Sequence, residues 1–301
     1  EIASCLVGSE MCIRDSYSWR VVIMIINNNV SALNANRQLN LNGSSMTKTI
    51  EALSSGQRIN RAGDDASGLA VSEKMRSQYR GLQQATRNAQ SGISFIQTTE
   101  GYLNETTNIM QRMRELAIQS ANGIYSDSDR ALIQVEVNQL VQEVDRIASQ
   151  AEFNKMNMLT GRFASDGQTP ITFHIGANMD QRVSVNIGAM TAANLQVGGE
   201  TPISISSVET ANQSLGRIDE GIQMVVAQRA ELGAVQNRME SMVKSLMIAT
   251  ENTIASESVI RDADMAQEMV AYTREQILQQ TGAAMLANAN AKNQSIMRII
   301  G

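Results

Sequence analysis

The chain has 301 residues, a formal net charge of −5, 3% aromatic residues and two prolines, Pro170 and Pro202. So few rings and prolines in an Ala-, Met-, Leu- and Gln-rich chain favour long helices packed through small side chains over a compact enzyme core. The acidic balance, with no basic block, argues against binding nucleic acid, and no apolar run approaches the ~20 residues that span a bilayer.

Cys5, Cys12 and Trp19 all fall in the first 19 residues, and no cysteine follows Met24. The body therefore has no disulfide, thiol nucleophile or cysteine-ligated metal. Residues 1–23 lack helical periodicity and are broken by Glu10, Arg14 and Asp15, which makes a poor signal peptide. They read as an extension foreign to the natural protein, with Met24 as the start; a genuine N-terminal extension is the competing reading.

From Met24 to Thr47 the only charge is Arg37, and Asn and Gln fill the polar positions. An apolar stripe remains in Leu39, Met46, Ile50 and Leu53. Exposed helices normally carry mixed charges, so this segment reads as disordered alone and helical once neighbours cover it. Asp64 and Asp65 then form a turn that caps a helix starting near Ala66. Farther on, Phe95/Ile96, Tyr102/Leu103, Ile109/Met110 and Leu116/Ala117 recur every seven residues, with Met113 on the same side. Gly123 and Ser126-Asp127-Ser128-Asp129 mark a turn and a new helix start. The next seam is Ile133, Val137, Leu140, Val144 and Ile147, on a helix folding back antiparallel because the connection is short.

Period-two alternation follows: Ile171, Phe173 and Ile175, then Val183, Val185 and Ile187. It predicts a β-hairpin at about 170–188, followed by a loop to Pro202 around one short helix. From Val208 to Leu246 an unbroken 3-4-3-4 spacing of apolar residues, interrupted only by Arg229 and Gln236, predicts a long coiled-coil helix. The C-terminal segment 276–301 mirrors the front: its only charges are Lys292 and Arg298, and Ile277, Ala284, Met285 and Leu286 form its stripe. The expected fold is thus mainly α: a long antiparallel coiled-coil helical rod over 65–255 with a small β-hairpin. The N- and C-terminal helices (24–64 and 256–301) pair as an assembly domain.

Ala52-Leu53-Ser54-Ser55-Gly56-Gln57-Arg58-Ile59-Asn60-Arg61-Ala62-Gly63-Asp64-Asp65-Ala66-Ser67-Gly68-Leu69-Ala70 resembles the signature of bacterial flagellins. Gln111–Ala117, Ile260–Ala266 and Ala284-Met285-Leu286-Ala287 agree with it in the family's order. Within that family, Met24–Asn29, Phe95–Tyr102 and Ala151–Leu159 resemble the spirochaete core flagellins of FlaB type, whose flagella turn in the periplasm. The resemblance implies a structural filament subunit that self-assembles through its terminal helices, with Leu39, Met46, Ile50, Leu53, Asp64, Asp65, Ile277, Met285 and Leu286 as assembly residues. It implies a homopolymer, served by an export chaperone, hook-junction and filament-cap proteins and sheath proteins, located in a periplasmic flagellum or, outside spirochaetes, extracellularly. It also suggests why the ends are nearly uncharged, since in the family these helices wall the channel through which unfolded subunits travel. Arg112, Leu116 and Glu136 match positions that contribute to recognition of external flagellins by an innate-immune Toll-like receptor. Large outer domains found in many flagellins have no counterpart in the short segment 164–203.

The chemistry that a different function would need is thin. Asp64-Asp65 has no histidine or second carboxylate cluster beside it, His174 is the only histidine, and neither a phosphate-binding glycine loop nor H-E-x-x-H occurs. No catalytic, cofactor or metal residue is therefore assigned. A hook–filament junction protein is the alternative within the same superfamily. A membrane translocator would show a Lys/Arg-rich polar face that these ends lack.

Overall fold

The computed structural model describes residues 28–164, 170–199 and 202–300. The extension expected at 1–23, the start at Met24 and residues 165–169 of the short outer segment lie outside these. The helices are α1 (Val30–Ser55), α2 (Ala66–Ala121), α3 (Asp127–Gln150), α4 (Val208–Arg261) and α5 (Met265–Ile300). Four short strands, β1 (Glu152–Phe153), β2 (Met156–Asn157), β3 (Ile171–His174) and β4 (Arg182–Val185), lie between α3 and α4. Contacts divide the chain into one unit of residues up to Asp64 and from Asp262 onward, and a second of Asp65–Arg261.

In the second unit α2 and α4, of 56 and 54 residues, pair antiparallel along their length. Glu73 meets Arg261 at 2.6 Å near one end, and Arg114 meets Asp219 at 2.7 Å toward the other. The heptad pairs of α2 supply the buried surface: Phe95, Ile96, Leu103, Met110, Met113, Leu116 and Ala117 are all in the core. Thr99, Thr106 and Thr107 share this interface because each hydroxyl donates to a carbonyl four residues earlier, leaving no unpaired polar group in apolar surroundings.

The turn from α2 to α3 forms where the capping cluster predicts it. Ser126 and Asp129 cap one another reciprocally, which holds the Asp129 carboxyl below its ordinary value, chiefly through the Ser126 hydroxyl. Arg130 is buried beneath the turn, donating to the carbonyls of Ser120 and Asn122 and pairing with Asp127 at 2.7 Å.

The seam on α4 differs from expectation. Ala211, Ile218, Val225, Leu232 and Met239 are fully buried, but on one flank of that row Ser214, Gly221 and Gln228 are buried too. Leu215 and Ile222, on the other flank, are only half-buried against the core. The helix also continues unbroken to Arg261, past the expected boundary at 255.

The reason lies in the segment expected to be a loop around a short helix. Among its described residues there is no helix; turns at 192–196 carry it across the bundle. Ile187, Met190, Ala192, Leu195, Val197, Ile203 and Ile205 are buried, so the segment is a strap closing the core. Its backbone is satisfied by side chains on three helices: Ser120 donates to the Ile205 carbonyl, Asp145 accepts from Ala192 N–H, and Ser214 donates to the Ser204 carbonyl. Gln228 accepts from Gly188 N–H and donates to the Asn186 carbonyl. A Cβ at Gly221 would lie 2.8 Å from the Leu195 carbonyl oxygen, so only glycine lets the strap approach there. Small or amide residues at seven-residue intervals on α4 thus form a track for the strap.

Gln134 on α3 clamps the strap most directly. Its amide accepts from Ile205 N–H at 2.7 Å and donates to the Ile203 carbonyl at 3.0 Å. Gln134→Leu strands both backbone groups, and we expect a loss of about 1–3 kcal/mol. Thermal melting should show the loss and hydrogen exchange should localise it to Ile205; unchanged exchange there would show that Gln134 does not clamp the strap.

The hairpin pairs Ile171 with Val185 through His174 with Arg182, inside the expected 170–188. A second, unforeseen hairpin joins β1 to β2 through Asn154 and Lys155, whose φ values of 51° and 63° suit a tight two-residue turn. Phe95 of α2 holds both hairpins to the bundle, with ring centroids 5.4 Å from Phe153 and 5.9 Å from Phe173.

Candidate assembly surface

The first unit is an antiparallel pair of helices joined by loop contacts at one end. Asn29 donates its side-chain amide to the Ala289 carbonyl at 3.0 Å, Leu39 packs beside Gly282, and Thr49 donates to Glu275 at 2.9 Å. At the far end Gln57 bridges to Asp262, and Ala263 N–H donates to the Gly56 carbonyl. Asn29 caps α1, accepting from Ala32 N–H.

Asp64 and Asp65 hold different structures. Asp64 accepts from the backbone N–H groups of Arg61 and Asn60; these bonds, led by that of Arg61, keep its carboxyl below its ordinary value. Asp65 caps α2 by accepting from Gly68 N–H at 2.9 Å and takes a second bond from the Ser67 hydroxyl. Beside the loop, Arg61 pairs with Glu51 at 2.9 Å.

The sequence-predicted stripe divides between two environments. Leu39, Met46, Leu53 and Leu286 are half-buried, while Ile50, Ile277 and Met285 face solvent, Ile277 at 63% exposure. Sequence periodicity also passed over a second set: Val30, Leu33, Leu41, Met269, Val270 and Leu278 are exposed, Leu33 at 70% and Val270 at 69%. The signal for them was present in the seven-residue spacing of Val270 with Ile277 and of Leu278 with Met285. Two helices can cover only one face of each other, so a pair that is apolar on its outer faces is left with surface that water solvates poorly.

Arg112 of α2 donates through Nε and Nη2, at 3.0 and 2.9 Å, to the same Oε1 of Glu136 on α3, with Glu115 as a second partner of Arg112. Leu116 is in the core at 2% exposure. Of the three residues matched to receptor recognition, only Arg112 and Glu136 therefore present surface.

Among the described residues no cluster of three or more His, Cys, Asp or Glu side chains could hold a metal ion. No described helix is long and apolar enough to cross a membrane.

This architecture agrees with what the chain resembles. The bacterial flagellin N-terminal helical region matches residues 26–164, and the flagellin C-terminal helical region matches residues 215–300. A flagellar filament 31.3 kDa core protein of Treponema maltophilum is 60% identical over 285 residues, covering 92% of this chain and all of the relative. The flagellar filament core protein flaB2 of Brachyspira hyodysenteriae is 61% identical over 284 residues, with the same coverage. A solved chain described as a flagellar hook-associated protein of Vibrio parahaemolyticus shares the fold, with a TM-score of 0.53 over 66% of this chain and 99% of its own, at 14% identity. With matching regions at both ends and relatives aligned over their whole length, this chain belongs to the bacterial flagellins.

Proposed function

We propose that the chain is the structural subunit of a flagellar filament core, a homopolymer joined through α1 and α5. The observation that carries this reading is the apolar outer surface of that helix pair, which nothing within the unit covers. Polymerisation would cover it and pack the nearly uncharged stretches of α1 and α5 against neighbouring copies. The role is structural: the relatives named above are filament core proteins, and the hook-associated likeness extends to fold alone, so a hook–filament junction role is not favoured. The spirochaete affinity of those relatives supports a periplasmic flagellum. An export chaperone, a cap, hook-junction proteins and a sheath are the partners such a filament calls for.

Ile277→Lys separates folding from assembly. Ile277 is solvent-exposed within one copy, so its replacement should change monomer stability by no more than about 0.5 kcal/mol. A neighbour packed there would have to desolvate the ammonium, at a cost of several kcal/mol. Electron microscopy after seeding should show filaments from the unaltered chain and none, or very few, from the variant. Filaments of equal number and length from both would count against this surface.

A further inference from the structure

The helix pair is not only apolar outside; it is electrically polar along its axis. Its free end, 28–47 with 276–300, carries Arg37, Lys292 and Arg298 and no acid in the sequence. Its loop end, 48–64 with 262–275, carries four basic and six acidic residues: Lys48, Arg58, Arg61 and Arg274 against Glu51, Asp64, Asp262, Asp264, Glu268 and Glu275. The two ends thus differ in sign, net +3 against net −2.

A single copy has no means of bringing these charges together. Glu275 lies across from Thr49, and Arg37 is twelve residues from Thr49 on the same helix, about 18 Å away at 1.5 Å per residue. Lys292 is seventeen residues from Glu275, about 25 Å. Both separations exceed the ~8 Å over which exposed charges act at physiological salt.

Each end also has a shape that suits the other. At the free end, Leu33, Arg37 and Leu41 recur every four residues and form a ridge on one face of α1. Both leucines are exposed, and Arg37 makes one hydrogen bond, to Asn34 at 3.3 Å. At the loop end a cleft of about 390 Å³ opens between α1, the loop and α5, lined in part by Lys48, Glu268 and Glu275. Glu268 and Glu275, seven residues apart, are half-buried on one face of α5, and neither makes an ion pair among the described residues. Lys48 and Arg58 also line the cleft, and Lys48 makes no ion pair among the described residues. Exposed Met269 and Ile277, each the next or second-next residue along α5, continue the surface as apolar.

We propose, building on the filament reading, that a second copy of this chain docks here head to tail. The Leu33–Arg37–Leu41 ridge of one copy seats at the cleft of the next, with Arg37 facing Glu268 and Glu275. Its leucines cover the apolar surface beside those carboxylates. Charge complementarity then fixes the polarity of stacking: two free ends repel one another, as do two loop ends, while unlike ends attract. Apolar burial supplies adhesion and the charges supply direction.

Charge exchange in the full-length chain tests the pairing. Critical concentrations for seeded polymerisation are measured for the unaltered chain, Arg37→Glu, Glu275→Arg and the double variant, with circular dichroism confirming equal monomer helicity. Each single reversal places like charges together and should raise the critical concentration more than about tenfold. The double variant restores unlike charges in exchanged positions and should return to within about threefold of the unaltered chain. Single variants that assemble normally, or a double variant no better than the worse single one, overturn the pairing. Should a reversal perturb the monomer, Arg37→Gln, Glu275→Gln and their combination form a milder cycle, in which additive penalties overturn it. An unaltered chain that makes no filaments would refute the filament reading itself and this pairing with it; normal filaments with insensitive variants refute the pairing alone.

Discussion

A chain trimmed to Asp65–Arg261 is expected to remain folded and to form no filaments at any concentration, even with seeds. The physical basis is the division of contacts. Ala52 and Ile59 are buried in the part removed, but the buried hydrophobic cluster of the second unit runs from Ala89 to Met239, inside that span. Its helix caps are also inside it: Asp65 at the start of α2 and the reciprocal Ser126–Asp129 pair before α3. Trimming leaves the Glu73–Arg261 pair at the new C-terminus and removes no side chain of that cluster. What disappears is the α1–α5 pair, with the exposed Leu33, Val270, Ile277 and Met285. Circular dichroism should show a strongly helical fragment that melts cooperatively, and sedimentation should find no polymer. Filaments from the fragment would show that the second unit carries assembly by itself and would refute the role given to the terminal helices.

Leu232→Ala should be the most damaging of the single substitutions considered. Leu232 is fully buried in the row that α4 presents to α2, so the substitution removes three carbon atoms from a close-packed interior. Lost transfer energy and the cavity together cost about 2–5 kcal/mol. For a unit of this size each kcal/mol lowers the melting temperature by about 2–4 °C, so the main thermal transition should fall by roughly 5–20 °C. Val226→Ala, on the same helix but half exposed, is the matching control and should stay within about 0.5 kcal/mol. Equal shifts for the two would mean that the α2–α4 seam does not carry the unit's stability.

A linear pattern is legible where the relation that it encodes is local. The heptad pairs from Phe95 to Ala117 became buried rows because a period of 3.5 residues specifies one face of a helix without reference to any partner. The capping residues Asp65 and Ser126 acted through bonds to backbone groups three residues away, and the alternation around Phe173 and Val183 produced its hairpin. All of these are short-range relations.

The strap shows where it fails. Its Gly-, Thr- and Asn-rich composition reads as a loop, yet its backbone is held by Gln134, 71 residues from Ile205, and by Gln228, 40 residues from Gly188. Nothing in a heptad pattern distinguishes an amide that faces water from one that clamps a distant backbone. The same limit applied to the ends. Composition showed that they are short of charge, but Leu39 and Ile277 look alike in the sequence and lie in different surroundings in the fold.

The sequence by itself determined the long helices, their caps, the β-hairpin and the family, because helix and strand periods and capping bonds are set within a few residues. The tertiary structure alone decided how far round each helix its partner reaches. That angle depends on antiparallel pairing across more than two hundred residues, as between Asn29 and Ala289. It leaves Leu33, Val270 and Ile277 outward, and it brings the strap onto Ser214, Gly221 and Gln228.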